Sequence, residues 1–259
     1  MVYVKIIFLK IRYFSYVIPM TGMKRIIPII LLCCFSITVL AQDKVMLRPY
    51  IDQRKWHWGF SVGLNTQFLS INNNGAVYTP ASGSASEEWY AQTQSYAPGF
   101  TVGVLGALRV TDFLELRLVP TLYFGEKTVG FKEQTQGTKA TQIIKSTYVA
   151  VPLELKISGP RWNNNRAYGM VGLSPLVDLT VKKDKELLMN RFDCMIELGF
   201  GTEFYFSFFK LIPELKFCLG LADMINRKRT DLKDPDMLKY TQSVGSAYNR
   251  MVALTLYFE

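Results

Sequence analysis

Nine charged residues recur at one parity within short runs: Arg109, Glu115 and Arg117; Glu154 and Lys156; Glu197 and Glu203; Glu214 and Lys216. Within each run they are two or six positions apart, so in an extended strand all of them project from one face. Two chemistries follow from carboxylates and cations mixed in this way. They can neutralise one another as ion pairs in an enclosed space, where an isolated ion costs several kcal/mol. They can also act as a proton relay or a carboxylate acid-base pair. The even mixture of signs favours a core of ion pairs, and a three-residue turn between the strands places Arg109 opposite Glu115.

Other reactive groups are sparse. His57 is the sole histidine, it stands between Trp56 and Trp58, and no motif offers it a serine or cysteine nucleophile. Paired His or Cys spacing for a metal is missing. Gly199-Phe200-Gly201 lies inside a strand pattern and relieves crowding rather than cradling a phosphate. The sequence therefore carries no enzyme signature, and it implies no cofactor, metal or small-molecule substrate.

The elements that must hold these charges are strands. Phe192, Cys194, Ile196, Leu198, Phe200, Phe204 and Phe206 alternate with Asp193, Glu197, Gly199, Gly201 and Glu203. Phe209 to Leu221 repeats the pattern against Lys210, Glu214 and Lys216, and Tyr248 to Phe258 against Asn249, Thr255 and Tyr257. One apolar face and one charged face on the same strands suit a barrel with lipid outside and a polar interior.

A period of two predicts eight strands, at 56–69, 99–110, 113–124, 147–158, 166–179, 192–206, 209–221 and 247–258. Each is long enough to cross a bilayer, which takes about 9 to 11 tilted residues. Connections alternate long (70–98, 125–146, 180–191, 222–246) and short (111–112, 159–165, 207–208), as outer loops and periplasmic turns do. The expected fold is all-β: an eight-stranded antiparallel up-and-down transmembrane β-barrel, 56–259, with an interior plugged by side chains. Trp56, Trp58, Phe60, Phe113, Trp162, Phe206, Phe208, Phe209, Tyr257 and Phe258 gather at one predicted end as an interfacial girdle.

The first residues read as an address. Met23-Lys24-Arg25, the apolar run Ile26–Leu40 and Val39-Leu40-Ala41 describe a cleaved signal peptide over 23–41. Residues 1–22 then form an upstream extension, translation begins at Met23, and 42–55 is a periplasmic segment. The chain has 30 basic and 21 acidic residues. Five of the basic ones precede the cleavage site, leaving 25 against 21, about +4, which is no nucleic-acid footprint. Cys194 and Cys218 fall on opposite faces and are not expected to bond.

Several blocks bear a likeness to a known family. Arg48-Pro-Tyr-Ile-Asp52, His57-Trp-Gly-Phe-Ser-Val-Gly-Leu-Asn65, Tyr148-Val-Ala-Val-Pro-Leu-Glu-Leu-Lys156, Asn164-Asn-Arg-Ala-Tyr168 and Pro213-Glu-Leu-Lys-Phe217 resemble, in order and spacing, the PorT family of the type IX secretion system. Thr66-Gln67 departs from it where an acidic residue is expected. The resemblance implies a Bacteroidetes outer-membrane barrel needed for export of proteins with a C-terminal sorting domain and, in gliding relatives, for motility. Its partners would be outer-membrane lipid and other secretion-system proteins. Because Arg48, Tyr50 and Asp52 match a family block yet lie in no strand, they are the candidate docking residues for a periplasmic partner. The alternative is a small barrel with no secretion role: a passive pore, an adhesin or a structural barrel.

Overall fold

The computed structural model describes residues 45–259 apart from 76, 79–86, 134–138, 182–186 and 228–236. The leader and the charged centre of the 222–246 loop lie outside the described residues. The described chain consists of β1 (Trp56–Asn73), β2 (Val77–Tyr78), β3 (Glu87–Tyr96), β4 (Pro98–Arg109), β5 (Leu114–Leu118), β6 (Thr121–Glu133), β7 (Lys139–Ala150), β8 (Leu153–Ser158), β9 (Asn165–Asp178), β10 (Phe192–Tyr205), β11 (Lys210–Asp223) and β12 (Val244–Phe258). A 3-10 turn at Ile51–Gln53 precedes them, and a short helix, Leu238–Ser243, leads into β12.

All pairings are antiparallel, and the order β10-β11-β12-β1-β4-β5-β8-β9 closes because β9 also pairs with β10. Strands β5 and β6 are one strand in two pieces. Gly106 faces Leu118 and Gly103 faces Thr121, so no residue is inserted between them. Pro120 lacks an N–H and removes a rung without shifting the register. Pro152 divides β7 from β8 in the same way, with Leu118 facing Leu153 and Thr121 facing Ala150. Counting β3 with β4, eight strands enclose the barrel, as the sequence predicts.

The register fixes its dimensions. From Trp58 the partners run through Gly106, Leu118, Leu153, Leu173, Ile196, Leu219 and Arg250 back to β1 at Phe68, ten positions beyond the start. Eight strands with that offset, about 3.3 Å per residue and about 4.8 Å apart, tilt by about 41° around a radius of about 8 Å. Side chains alone fill such a bore.

Two expected loops are largely strand. Most of 125–146 belongs to β6 and β7, and much of 70–98 to the end of β1 and to β3. On this upper part the faces are reversed in character: Val129 and Phe131 are buried inside, while Thr128 and Lys132 look out. Leu69, Trp89, Phe131, Leu187, Met224 and Ile225 form an apolar core there, against which Tyr240 of the short helix packs. Where β1 and β3 run side by side, the Asn73 amide replaces a rung, donating to Ala91 O at 3.0 Å and accepting from Ala91 N at 2.8 Å.

Candidate functional site

The inward positions of β5, β8, β10 and β11 converge on a buried ion cluster. Arg117 Nη2 stands 2.6 Å from Glu154 Oε2 and 2.6 Å from Glu214 Oε2. Lys216 pairs with Glu154 and lies 3.4 Å from both Glu197 and Glu214. Tyr168 donates to Glu214 at 2.6 Å and Tyr257 at 3.1 Å. Arg117 Nε and Nη1 meet no acceptor among the described residues. The guanidinium instead lies 5.5 Å from the Tyr168 ring and 5.2 Å from that of Tyr257, where aromatic faces stabilise a cation.

Glycines make room for these long side chains. Gly172 faces Glu154 and Gly201 faces Glu214 across the ladders. A Cβ on Gly201 would fall 2.6 Å from the Tyr168 hydroxyl, and one on Gly172 would fall 3.0 Å from Glu154 Cγ. The Gly199-Phe200-Gly201 run thus serves packing inside the strand.

Nearer the turns lies a second cluster. Lys156 bonds Glu115 at 2.9 Å and also pairs with Glu203. Lys210 lies 3.4 Å from Glu203 and pairs with Glu259. His57 Nδ1 is 3.8 Å from Glu259, and its Nε2 is 3.1 Å from Arg54 O. Arg109 is the exception among the nine sequence candidates. The register does place it opposite Glu115, but its guanidinium reaches out to Asp112 in the turn and is 27% exposed. At the strand's end a long side chain can keep its charge in water, while Glu115, one strand further round, is taken by Lys156. Lys210, Glu259 and Lys127 are missing from the sequence set. The parity of Lys210 matches Glu214 and could have found it; Lys127 was hidden in a segment read as loop.

The interior is not filled by ions alone. Inward along β11 come Lys210, Ile212, Glu214, Lys216 and Cys218, all buried. Leu105, Ala107, Val119 and Ile212 pack with Tyr168 and Tyr257 between the two ion clusters. Tyr123, Tyr148, Leu176, Met195, Cys218 and Met251 pack above them. Tyr257 is therefore no member of an outer girdle: its parity turns it inward, and it is 1% exposed. Cys218 is buried inside, Cys194 projects from the other face, and both are free thiols.

Residues 47–55 form a strap across the mouth. Leu47 N donates to Asn164 Oδ1 at 2.8 Å, on the turn opposite β1 in the ring, and Arg48 to Phe208 O at 3.5 Å, on the turn between β10 and β11. Arg161 holds the strap from above. It stacks 3.6 Å from the Tyr205 ring centre, donates to Leu47 O and to Arg48 O at 3.4 Å, and lies 3.4 Å from Asp52 Oδ2. Tyr205 Oη lies 2.8 Å from Asp52 Oδ1 and 2.6 Å from Glu203 Oε2. Of the three expected docking residues, Asp52 is thus engaged within the protein, Arg48 is partly covered and Tyr50 is 73% exposed.

A family model described as the outer membrane protein beta-barrel domain matches residues 40–226. The chain belongs to this family. Two solved barrel structures are among those the chain is similar to. The N-terminal β-barrel domain of OprF from Pseudomonas aeruginosa is 13% identical, with 76% of this chain and 97% of that one covered at a TM-score of 0.32. Ail, the attachment invasion locus protein of Yersinia pestis, solved with the heparin analogue sucrose octasulfate, is 11% identical over 80% and 100% at 0.31. No curated protein matches the chain.

As an outer-membrane barrel, the chain meets lipid along its apolar outer wall. Phe60 stacks on Phe258 and Phe206 on Phe209 near the turns, with ring centres 5.0 Å apart in each pair. Phe100 stacks on Phe124 at 4.5 Å, and Phe68 meets Tyr96 edge-on at 5.3 Å, further up. Leu64 and Leu254 face each other in the aliphatic zone between these levels. Above the upper aromatics the outer wall turns polar, which marks the end of the hydrocarbon.

Proposed function

We propose that this outer-membrane barrel serves the type IX secretion system as a non-enzymatic accessory or assembly factor, exported through the leader at 23–41. The observation that carries the reading is that three of the PorT-like blocks meet in the ion core, with the first block tied beside them through Arg161. Asp52 of the first block is held by Arg161 next to Asn164, Glu154 pairs with Lys216, and Tyr168 bonds Glu214. Segments far apart in sequence thus assemble around the mouth, strap and ion core. That is the outcome expected if the likeness reflects a shared architecture.

A bore of this radius filled by paired charges and packed apolar side chains leaves the loops, the lipid-facing wall and the periplasmic strap to meet partners, which would be outer-membrane lipid and other secretion-system proteins. Arg48, Tyr50 and Asp52 belong to the strap. The role calls for no nucleic acid, small-molecule substrate or cofactor. A deletion strain should lose cargo bearing the C-terminal sorting domain from its surface and culture fluid, and complementation should restore it. Unchanged cargo would transfer the chain to the reading of a small barrel without a secretion role.

A further inference from the structure

We propose that the strap and two turns together form a docking surface for an acidic protein segment carrying apolar side chains, centred on Arg48, Tyr50, Trp162 and Phe208. The inference rests on the docking role given to the strap and extends it to the turns. Trp162 in the 159–165 turn is 79% exposed, and Phe208 at the tip of the 207–208 turn is 93% exposed. The contacts of Arg48 with Phe208 O and of Arg161 with Arg48 O bring both turns to the strap.

Charge selects the partner. The carboxylates at this end are already paired: Asp52 with Arg161, Asp112 with Arg109, Glu259 with Lys210. Among the described residues no carboxylate lies in ion-pair range of Arg48, Arg54 or Lys55. The surface therefore presents Arg48, without an ion-pair partner, beside the exposed Tyr50 and Phe208, with Arg54 and Lys55 further along the strap, the composition of interface anchors. Lipid is the poorer occupant, because Tyr50 lies between the strap's anchor at Leu47 and the start of β1 on the opposite side, beneath the lumen, where no bilayer extends. Arg48 itself is held in the left-handed region at φ 51°, a costly conformation for a non-glycine residue that the surrounding contacts must enforce. Arg161 is the positioning residue, since it fixes the strap without itself facing out.

The experiment uses the full barrel in lipid nanodiscs and a fluorescent peptide of alternating Glu and Leu, with a Lys-Leu peptide and a Glu-Gly peptide as controls. Anisotropy should report binding of the Glu-Leu peptide alone. Tyr50→Ala, Phe208→Ala and Arg48→Glu should each weaken it by about tenfold or more, as truncated interface anchors do. Arg161→Ala should weaken it comparably while tryptic cleavage after Arg54 and Lys55 accelerates, a change the ring variants should not share. Equal binding of Glu-Leu and Glu-Gly peptides, or no loss in the ring variants, would overturn the proposal. So would photoreactive groups at positions 50 and 208 labelling lipid instead of peptide. Normal cargo export in the deletion strain would sink the secretion role and leave this binding result standing, so the two failures are distinct.

Discussion

Arg117 Nη2 lies 2.6 Å from Glu214 Oε2, and both side chains are wholly shielded from solvent. Each is affordable inside the barrel only because the other is present, since breaking a buried pair leaves an uncompensated charge. Arg117→Met should therefore destabilise the barrel by about 3 to 5 kcal/mol, read as a lower urea midpoint in detergent. The double variant Arg117→Met with Glu214→Gln should recover part of the loss. Equal stability of the single variant and the unaltered protein would contradict the ion-core description.

Electrical silence is the second expectation. With inward side chains on every strand meeting near the axis of a bore about 8 Å in radius, planar bilayers containing the purified protein should show no steady unitary conductance. Regular single-channel steps would mean that the clusters around Arg117 and Lys156 part readily.

The lipid boundary can be mapped by charge. Leu254 is about half exposed on the outer wall midway between the aromatic levels, and Leu254→Arg should cost about 2 to 4 kcal/mol, the penalty for a cation near the bilayer midplane. Thr128→Arg, on the same outer face above the upper aromatics, should cost about 0 to 1 kcal/mol. Similar penalties at both sites would show that the hydrocarbon reaches higher than the wall's polarity implies.

Release of the strap should be separable from barrel stability. Asp52→Asn removes the carboxylate that meets Arg161 and Tyr205, so trypsin should cut faster after Arg54 and Lys55 while the unfolding free energy from urea titration stays within about 1 kcal/mol of the original, as for partly exposed pairs. Unchanged cleavage would show that Leu47, Arg48 and Ile51 suffice to hold the segment.

Much of the barrel was legible because lipid reads as strictly as water does. Leu64, Phe100, Leu254 and their neighbours are apolar on alternate positions, and Glu154, Lys156, Glu214 and Lys216 fill the positions between. The same rule hid β3 and the upper halves of β6 and β7. There water lies outside and an apolar core inside, so Val129 and Phe131 turn inward and Thr128 and Lys132 outward, the reverse of the pattern below. A template with one fixed polarity passes over such strands. Pairing within the clusters was less accessible. Arg109 and Glu115 are opposite in register, yet they part because one has a turn and water within reach and the other has Lys156. Nothing in the spacing shows that Asp52 folds back onto Arg161, which takes the closing of the ring to bring near.

The uneven heights of the strands have a geometric consequence. β9, β10 and β11 stop at Asp178, Phe192 and Asp223, whereas β6 runs to Glu133 and β1 to Asn73, so at the tilt derived above one flank stands roughly 15 Å taller than the other. A rim of even height would look alike from every bearing, and a neighbour could approach at any azimuth. Among the described strands the difference gives the wall a tall flank and a short one within the plane of the membrane, so whatever reaches it across the cell surface meets a different depth of paired backbone according to the direction of arrival.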